Sequence, residues 1–146
     1  MMDIKTFTSQ PTVTDKDLEQ LPNFLFEHLE EYGDNITAIK KAIDYALGNE
    51  SPGGYVFLVV DNDLLVAAAV VNKTGMKEYI PENILVYIAT HKNCRGKGIG
   101  KQLMKEILGS VKGDIALHVE PQNPAKKLYE KFGFINKYLE MRFINK

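Results

Sequence analysis

From Arg95 to Met104 the chain reads RGKGIGKQLM, with Gly96, Gly98 and Gly100 at alternate positions and Arg95, Lys97 and Lys101 set among them. Glycine gives up more backbone freedom on folding than any other residue, so such a run marks a backbone that takes positive φ or is closely approached. The three cations make an anion the expected visitor. Ile99, Leu103, Ile107 and Val111 recur every fourth residue, which predicts a helix directly behind the glycines. The first N–H groups of a helix lack intrahelical acceptors and carry the positive end of its dipole, a setting in which phosphates bind. A second chemical candidate is the hydroxyl of Tyr129, within NPAKKLYEKFGF, Asn123 to Phe134. The pattern reads as a short amphipathic helix with Leu128 and Phe132 toward the core, Lys126, Lys127, Glu130 and Lys131 toward water, and Gly133 as its stop. That reading leaves Tyr129 without a structural task.

Two familiar phosphate loops fail at named positions. A nucleotide-triphosphate P-loop needs glycine where Arg95 stands and Ser or Thr where Gln102 stands, so no side chain is placed for magnesium. A dinucleotide loop, G-x-G-x-x-G, needs glycine where Lys101 stands. What remains is R-x-x-G-x-G, which is a tight turn or a phosphate cradle.

The elements that must hold these residues follow from periodicity. DIKTF is a short alternating strand. A helix follows with Thr14 as its cap and Leu18, Leu21, Leu25 and Leu29 in register, and Pro22 inside it is expected to kink or split it. Asn35 opens a second helix with Ile36, Ile39, Ile43 and Leu47 on one face and Gly48 as its stop. NESPGG is a loop. GYVFLVV and LLVAAAVV, joined through Asp61, Asn62 and Asp63, read as a hairpin. NILVYIAT is a strand that ends at Thr90, just before the glycines, and DIALHV is another. INKYLEMRFI reads as a last strand or half of a hairpin. No repeat, low-complexity tract or linker interrupts the chain, so residues 1–146 are taken as one mixed α/β domain.

Composition bounds the function classes. The chain has 146 residues, 45% apolar and 25% charged, with a formal net charge of -1. That is the profile of an ordinary globular protein with a core of its own. The charge balance argues against a nucleic-acid partner, and any anion site has to be local. No apolar run approaches a membrane span, and MMDIKTFTSQ lacks a signal-peptide layout. A single cysteine, Cys94, cannot form an internal disulfide, which makes a cytoplasmic location the expectation.

The ordered pair RGKGIG and NPAKKLYEKFGF, separated by a helix and a strand, resembles the acetyl-CoA-binding core of the GNAT superfamily of N-acetyltransferases. The match covers roughly Ile84 to Phe134; the N-terminal half agrees only as a pattern of elements. The resemblance implies a mostly antiparallel sheet with flanking helices, splayed at the strands that receive the cofactor. It implies that Arg95, Gly96, Lys97, Gly98, Ile99 and Gly100 wrap the pyrophosphate of coenzyme A. It also implies that the preceding strand bulges, and that Ile88, Ala89 and Thr90 pair with the pantetheine arm. Asn123 is carried over as a cofactor contact, although it stands two residues before Ala125 where relatives place the amide three before, at Gln122.

As the resemblance would have it, a backbone N–H near Ile88 or Ala89 holds the carbonyl oxygen of the thioester and Tyr129 protonates the departing thiolate in direct transfer within a ternary complex. Many relatives carry a glutamate in the strand before the loop, and ILVYIAT has none. Glu82 and Glu120 flank the relevant strands and act, if at all, through water, so no base is assigned. His28, His91 and His118 lack metal-ligand spacing, and nothing in the sequence activates Cys94 as a nucleophile. The acceptor, a small-molecule or peptide amine, is expected against the first two helices and the last strand, where Glu27, Glu30, Glu31 and Asp34 form an acidic group. A homodimer follows only from family habit. The alternative of another class is a non-catalytic acyl-CoA-binding or sensor module on the same fold.

Overall fold

A computed structural model describes residues 2–9, 15–48 and 51–146. The elements run β1 (Met2–Thr8), α1 (Lys16–His28), α2 (Ile36–Leu47), β2 (Gly54–Asp61), β3 (Leu64–Lys73), β4 (Asn83–Thr90), α3 (Ile99–Ser110), β5 (Ile115–Leu117) and α4 (Ala125–Lys131). The strands form one sheet in chain order, antiparallel from β1 to β4, with β5 parallel to β4. The mixed α/β architecture and the splayed, mostly antiparallel sheet agree with the sequence reading.

The apolar runs of β2 and β3 are buried nearly end to end because helices cover both faces of the sheet. On one face α1 and α2 contribute Leu21, Phe24, Leu25, Ile39 and Ile43 to a core with Val56, Leu58 and Val70. On the other, α3 and α4 contribute Ile99, Leu103, Ile107 and Tyr129 to a core with Phe57, Ala69 and Val71. The hairpin closes through Asn62 and Asp63 at φ 52° and 64°, the two positive values that suit a two-residue turn between twisted strands.

Four expectations require correction. The cap of α1 is Asp15, whose carboxylate accepts from the Asp17 and Leu18 amides; Thr14 lies outside the described residues. Pro22 neither splits α1 nor ends it. One intrahelical bond is missing there, but Leu21, Phe24 and Leu25 are buried on either side of it and hold the helix against the sheet. The last expected strand is not formed: from Phe134 onward the chain has no helix or strand, since an alternating pattern makes no ladder without a neighbouring strand to bond. DIALHV is also strand only over Ile115–Leu117. No helix among the described residues is long and apolar enough to cross a membrane.

Candidate active site

One irregularity in β4 organises the site. Val70 pairs with Tyr87 and Val71 with Leu85, so Val86 is an extra residue, a β-bulge. It reverses the side-chain alternation: Leu85 joins the core under α3, whereas Tyr87, two residues later, joins the core under α1 and α2. The same region loses its second neighbour. β5 pairs with β4 only at Asn83, Ile84 and Leu85, so Tyr87 to Thr90 are paired with β3 alone and, like Val86, have no strand on their outer edge among the described residues.

This bare edge leads into the glycine loop. The His91 amide donates to Val66, a short 3₁₀ turn spans Lys92–Cys94, and Gly96 and Gly98 take φ of 82° and 79°. A Cβ placed on either glycine meets no atom within 4 Å, so the space before them is open and the conformation itself demands glycine. Gly98 is the N-cap of α3 and no side chain caps the helix. The first bond of the helix runs from Gln102 to Gly98, leaving the Ile99, Gly100 and Lys101 amides ahead of it. Gly100 brings this turn close to its neighbours, with an added Cβ 3.6 Å from Leu128 Cδ2 and 3.7 Å from Thr90 Oγ1. Lys97 and Lys101 are exposed and make no ion pair among the described residues.

Arg95 is placed differently from its neighbours in the motif. Its guanidinium bonds Glu30 at 2.7 Å, the His28 carbonyl at 2.8 Å and the Thr90 carbonyl at 3.3 Å, tying the loop to the end of α1. The hydrogen bond from Arg95, and then its charge, hold Glu30 below the usual carboxylate range. The cradle therefore consists chiefly of main-chain amides, with Lys97 and Lys101 as its free cations among the described residues.

Tyr129 is the most deeply buried residue of α4, a position that the core-facing assignment of Leu128 and Phe132 did not give it; those two are half-buried. Burial lifts its hydroxyl to about 12, and that hydroxyl has no hydrogen-bond partner among the described residues. The end of α4 fixes the ring. Gly133, at φ 97°, donates to Glu130, Phe134 donates to Tyr129, and the Phe134 ring meets Tyr129 edge-on at 6.0 Å. Asn123 uses its Oδ1 to accept from the Ala125 amide at 2.9 Å, in the turn that leads into α4, and Gln122 is exposed with a long contact to Glu120.

The opposite face of β4 carries side-chain chemistry that the motifs did not reveal. The buried Tyr87 donates to Asp34 at 2.5 Å, and burial, reinforced by that carboxylate, drives its pKa well above the usual phenol value. Burial and then the charges of Glu31, Glu120 and Glu30 raise Tyr32. His28 is buried, meets the His91 ring at a tilt of 36° with centroids 4.1 Å apart, and accepts from the Lys92 amide. Burial, then the His91 charge, lowers its pKa. Glu82 is excluded as a base: it accepts from Asp114 at the start of β4, roughly 25 Å of strand from Thr90. His118 is exposed, and Cys94 is a half-buried free thiol. The signal for Tyr87 was the bulge, which single-sequence alternation conceals.

Residues 52–136, more than half of the chain, match the acetyltransferase (GNAT) domain family. No curated protein matches the chain. A GNAT-family acetyltransferase from Streptococcus pneumoniae superposes with a TM-score of 0.70 at 22% identity, over 100% of this chain and 99% of that one. An aminoglycoside N-acetyltransferase, solved with CoA, gives 0.71 at 16%, over 100% and 95%. The ribosomal-protein-S18-alanine N-acetyltransferase of Escherichia coli gives 0.67 at 16%, over 91% and 77%.

Proposed function

The chain belongs to the GNAT superfamily of acetyltransferases, and from that premise we propose that it moves an acetyl group from acetyl-CoA to a primary amine by direct transfer. The observation that carries this reading is the bare edge of β4 running into an open, uncapped helix start, with Tyr129 packed in the same core as Ile88 and Ile99. That edge and start fit a ligand that is an extended amide chain at one end and a diphosphate at the other.

When bound, acetyl-CoA supplies an activated thioester and a thiolate leaving group. The Ile99, Gly100 and Lys101 amides, with Lys97 and Lys101, would hold diphosphate charge without any metal-binding side chain. Main-chain groups of Ile88, Ala89 and Thr90 would take the pantetheine arm by strand addition. An N–H at Ile88 or Ala89 is a fixed dipole that needs no reorganisation as an oxygen gains charge. Tyr129 keeps its proton at physiological pH, since its hydroxyl sits at about 12. A thiol at ~8.5 is the stronger acid, so this phenol is better suited to hydrogen-bond a sulfur gaining charge than to surrender its proton outright. The Asn123 Oδ1 is engaged by the Ala125 amide and supports the cofactor side by holding the turn into α4.

The acceptor side is the acidic face around Glu27, Glu31, Asp34 and Glu120, which suits a cationic amine on a small molecule or a peptide. The aminoglycoside and ribosomal-protein enzymes with this fold act on amines of those two kinds, which supports the choice. A cytoplasmic location belongs to the same proposal and rests on the lone Cys94. A second reading, an acyl-CoA sensor without turnover, is favoured by one observation: β4 carries no carboxylate. Thiol release from acetyl-CoA, measured across a panel of diamines, aminoglycosides and lysine- or alanine-terminated peptides, separates the two. Amine-dependent release that is lost in Tyr129→Phe is the expected result. Tight acetyl-CoA binding without release on any amine would transfer the assignment to the sensor.

A further inference from the structure

The short turn between β4 and the glycine loop has three amides, those of Lys92, Asn93 and Cys94, and each has a partner. Cys94 donates to the His91 carbonyl at 2.8 Å and Asn93 to the His91 Nδ1 at 3.1 Å, both within the turn's own stretch of chain. Lys92 is different. It donates at 3.2 Å to the Nδ1 of His28, 64 residues earlier and in the last turn of α1. The bond is partly buried, where a donor left unpaired is costly, so it decides where the turn sits.

The same residue holds the far end. The His28 carbonyl, among the last of α1 and so without an intrahelical donor, accepts from Arg95 at 2.8 Å, and Glu30 takes the same guanidinium at 2.7 Å. A ring nitrogen and a main-chain oxygen of His28 thus bracket Lys92 to Arg95. Only Gly96 and Lys97 separate that span from Gly98, the cap of α3.

The ring is set to accept. His28 is 4% exposed, in contact with the rings of Phe24 and His91 at centroid distances of 4.6 and 4.1 Å. With Nδ1 taken by an N–H, its proton stands on Nε2, 3.7 Å from a Glu27 oxygen. Burial, then the charges of His91, Lys92 and Arg95 against that of Glu27, lower its pKa and keep the ring neutral. We propose that His28 is a positioning residue for the cofactor loop, its Nδ1 and carbonyl fixing the turn and Arg95 so that the Ile99, Gly100 and Lys101 amides face the diphosphate. The inference rests on the reading of that loop as the coenzyme A site. His28 acts through the loop: a turn already fixed on α1 spares binding the cost of ordering it.

The test uses the full chain, with coenzyme A affinity measured by calorimetry and the loop followed by amide and ring-nitrogen NMR. In the wild type at about pH 7.5, above the ordinary histidine range, the His28 Nδ1 is expected to carry no proton and the Lys92 amide to be protected from exchange. His28→Leu keeps apolar bulk and loses the acceptor; its coenzyme A dissociation constant is expected to rise about tenfold, with Lys92 protection lost. His28→Asn retains an acceptor oxygen at the δ position and is expected within about threefold of the wild type. A role in packing alone predicts the reverse order, since leucine fills more of the buried space than asparagine. A proton on Nδ1, unchanged coenzyme A affinity in His28→Leu, or a His28→Asn no better than His28→Leu would each overturn the proposal. A wild-type chain without affinity for coenzyme A would overturn the reading of the loop as well, which sets that failure apart from the other three.

Discussion

The two sides of β4 solve the problem of holding a ligand with different materials. Toward α3 the site is main chain: a strand edge without a partner, two glycines at positive φ and three uncapped amides. Toward α1 and α2 it is side chain: Tyr87 on Asp34, with Arg95 on Glu30. A backbone site depends on conformation and so permits few residue types; a side-chain site depends on which face a residue reaches. Arg95 joins the two, since its guanidinium leaves the glycine loop for Glu30 and the His28 carbonyl.

If the two sides are separate in function, variants on each should divide cleanly between cofactor, chemistry and acceptor. The largest effect is expected from Tyr129→Phe, which keeps the ring in its core and removes the hydroxyl. We expect kcat to fall by about a hundredfold or more with acetyl-CoA affinity unchanged, checked by steady-state kinetics and calorimetry. Gly98→Val comes next. A β-branched residue at φ 79° costs on the order of 1–3 kcal/mol, so acetyl-CoA affinity should drop about ten- to a hundredfold, with Gly98→Asn clearly milder. Asp34→Asn should raise KM for the amine roughly three- to tenfold and leave acetyl-CoA affinity as it was; a loss of cofactor affinity instead would dissolve the distinction between the two sides.

The smallest effect is one of pH on stability. His28 is buried with its pKa lowered from 6.5, so the unfolded chain binds the proton more readily than the folded one. Its contribution is therefore complete above about pH 6.5 and is lost as pH falls through the lowered folded value. Thermal melts from pH 8 to pH 5 should show a decline on the acid side that is shallower in His28→Gln.

What was legible in the sequence follows the same division. The glycine loop, the helix behind it and the helix bearing Tyr129 could be read directly, because positive φ selects glycine and helices announce themselves by period. The hairpin was equally plain, since Asp61-Asn62-Asp63 interrupts two apolar runs. Tyr87 could not be read in this way. Strict alternation puts it beside Leu85, and only the extra residue at Val86 turns it to the other face. Pro22 misled because its missing bond is local, whereas the packing of Leu21 and Leu25 is tertiary. The strand expected over 135–144 does not form, because alternation supplies a pattern of side chains and not the neighbouring strand that a ladder needs.

The central claim is that main-chain amides at the β4 edge and the start of α3 receive coenzyme A. Its most direct test is an amide-resolved NMR titration of the labelled protein with coenzyme A. We predict saturable shifts concentrated at 88–90 and 96–101, with Tyr129 perturbed and the start of β4 unchanged. Shifts confined to the opposite end of the sheet, around Pro52, Asn83 and Lys112, or no shifts at all, would contradict it.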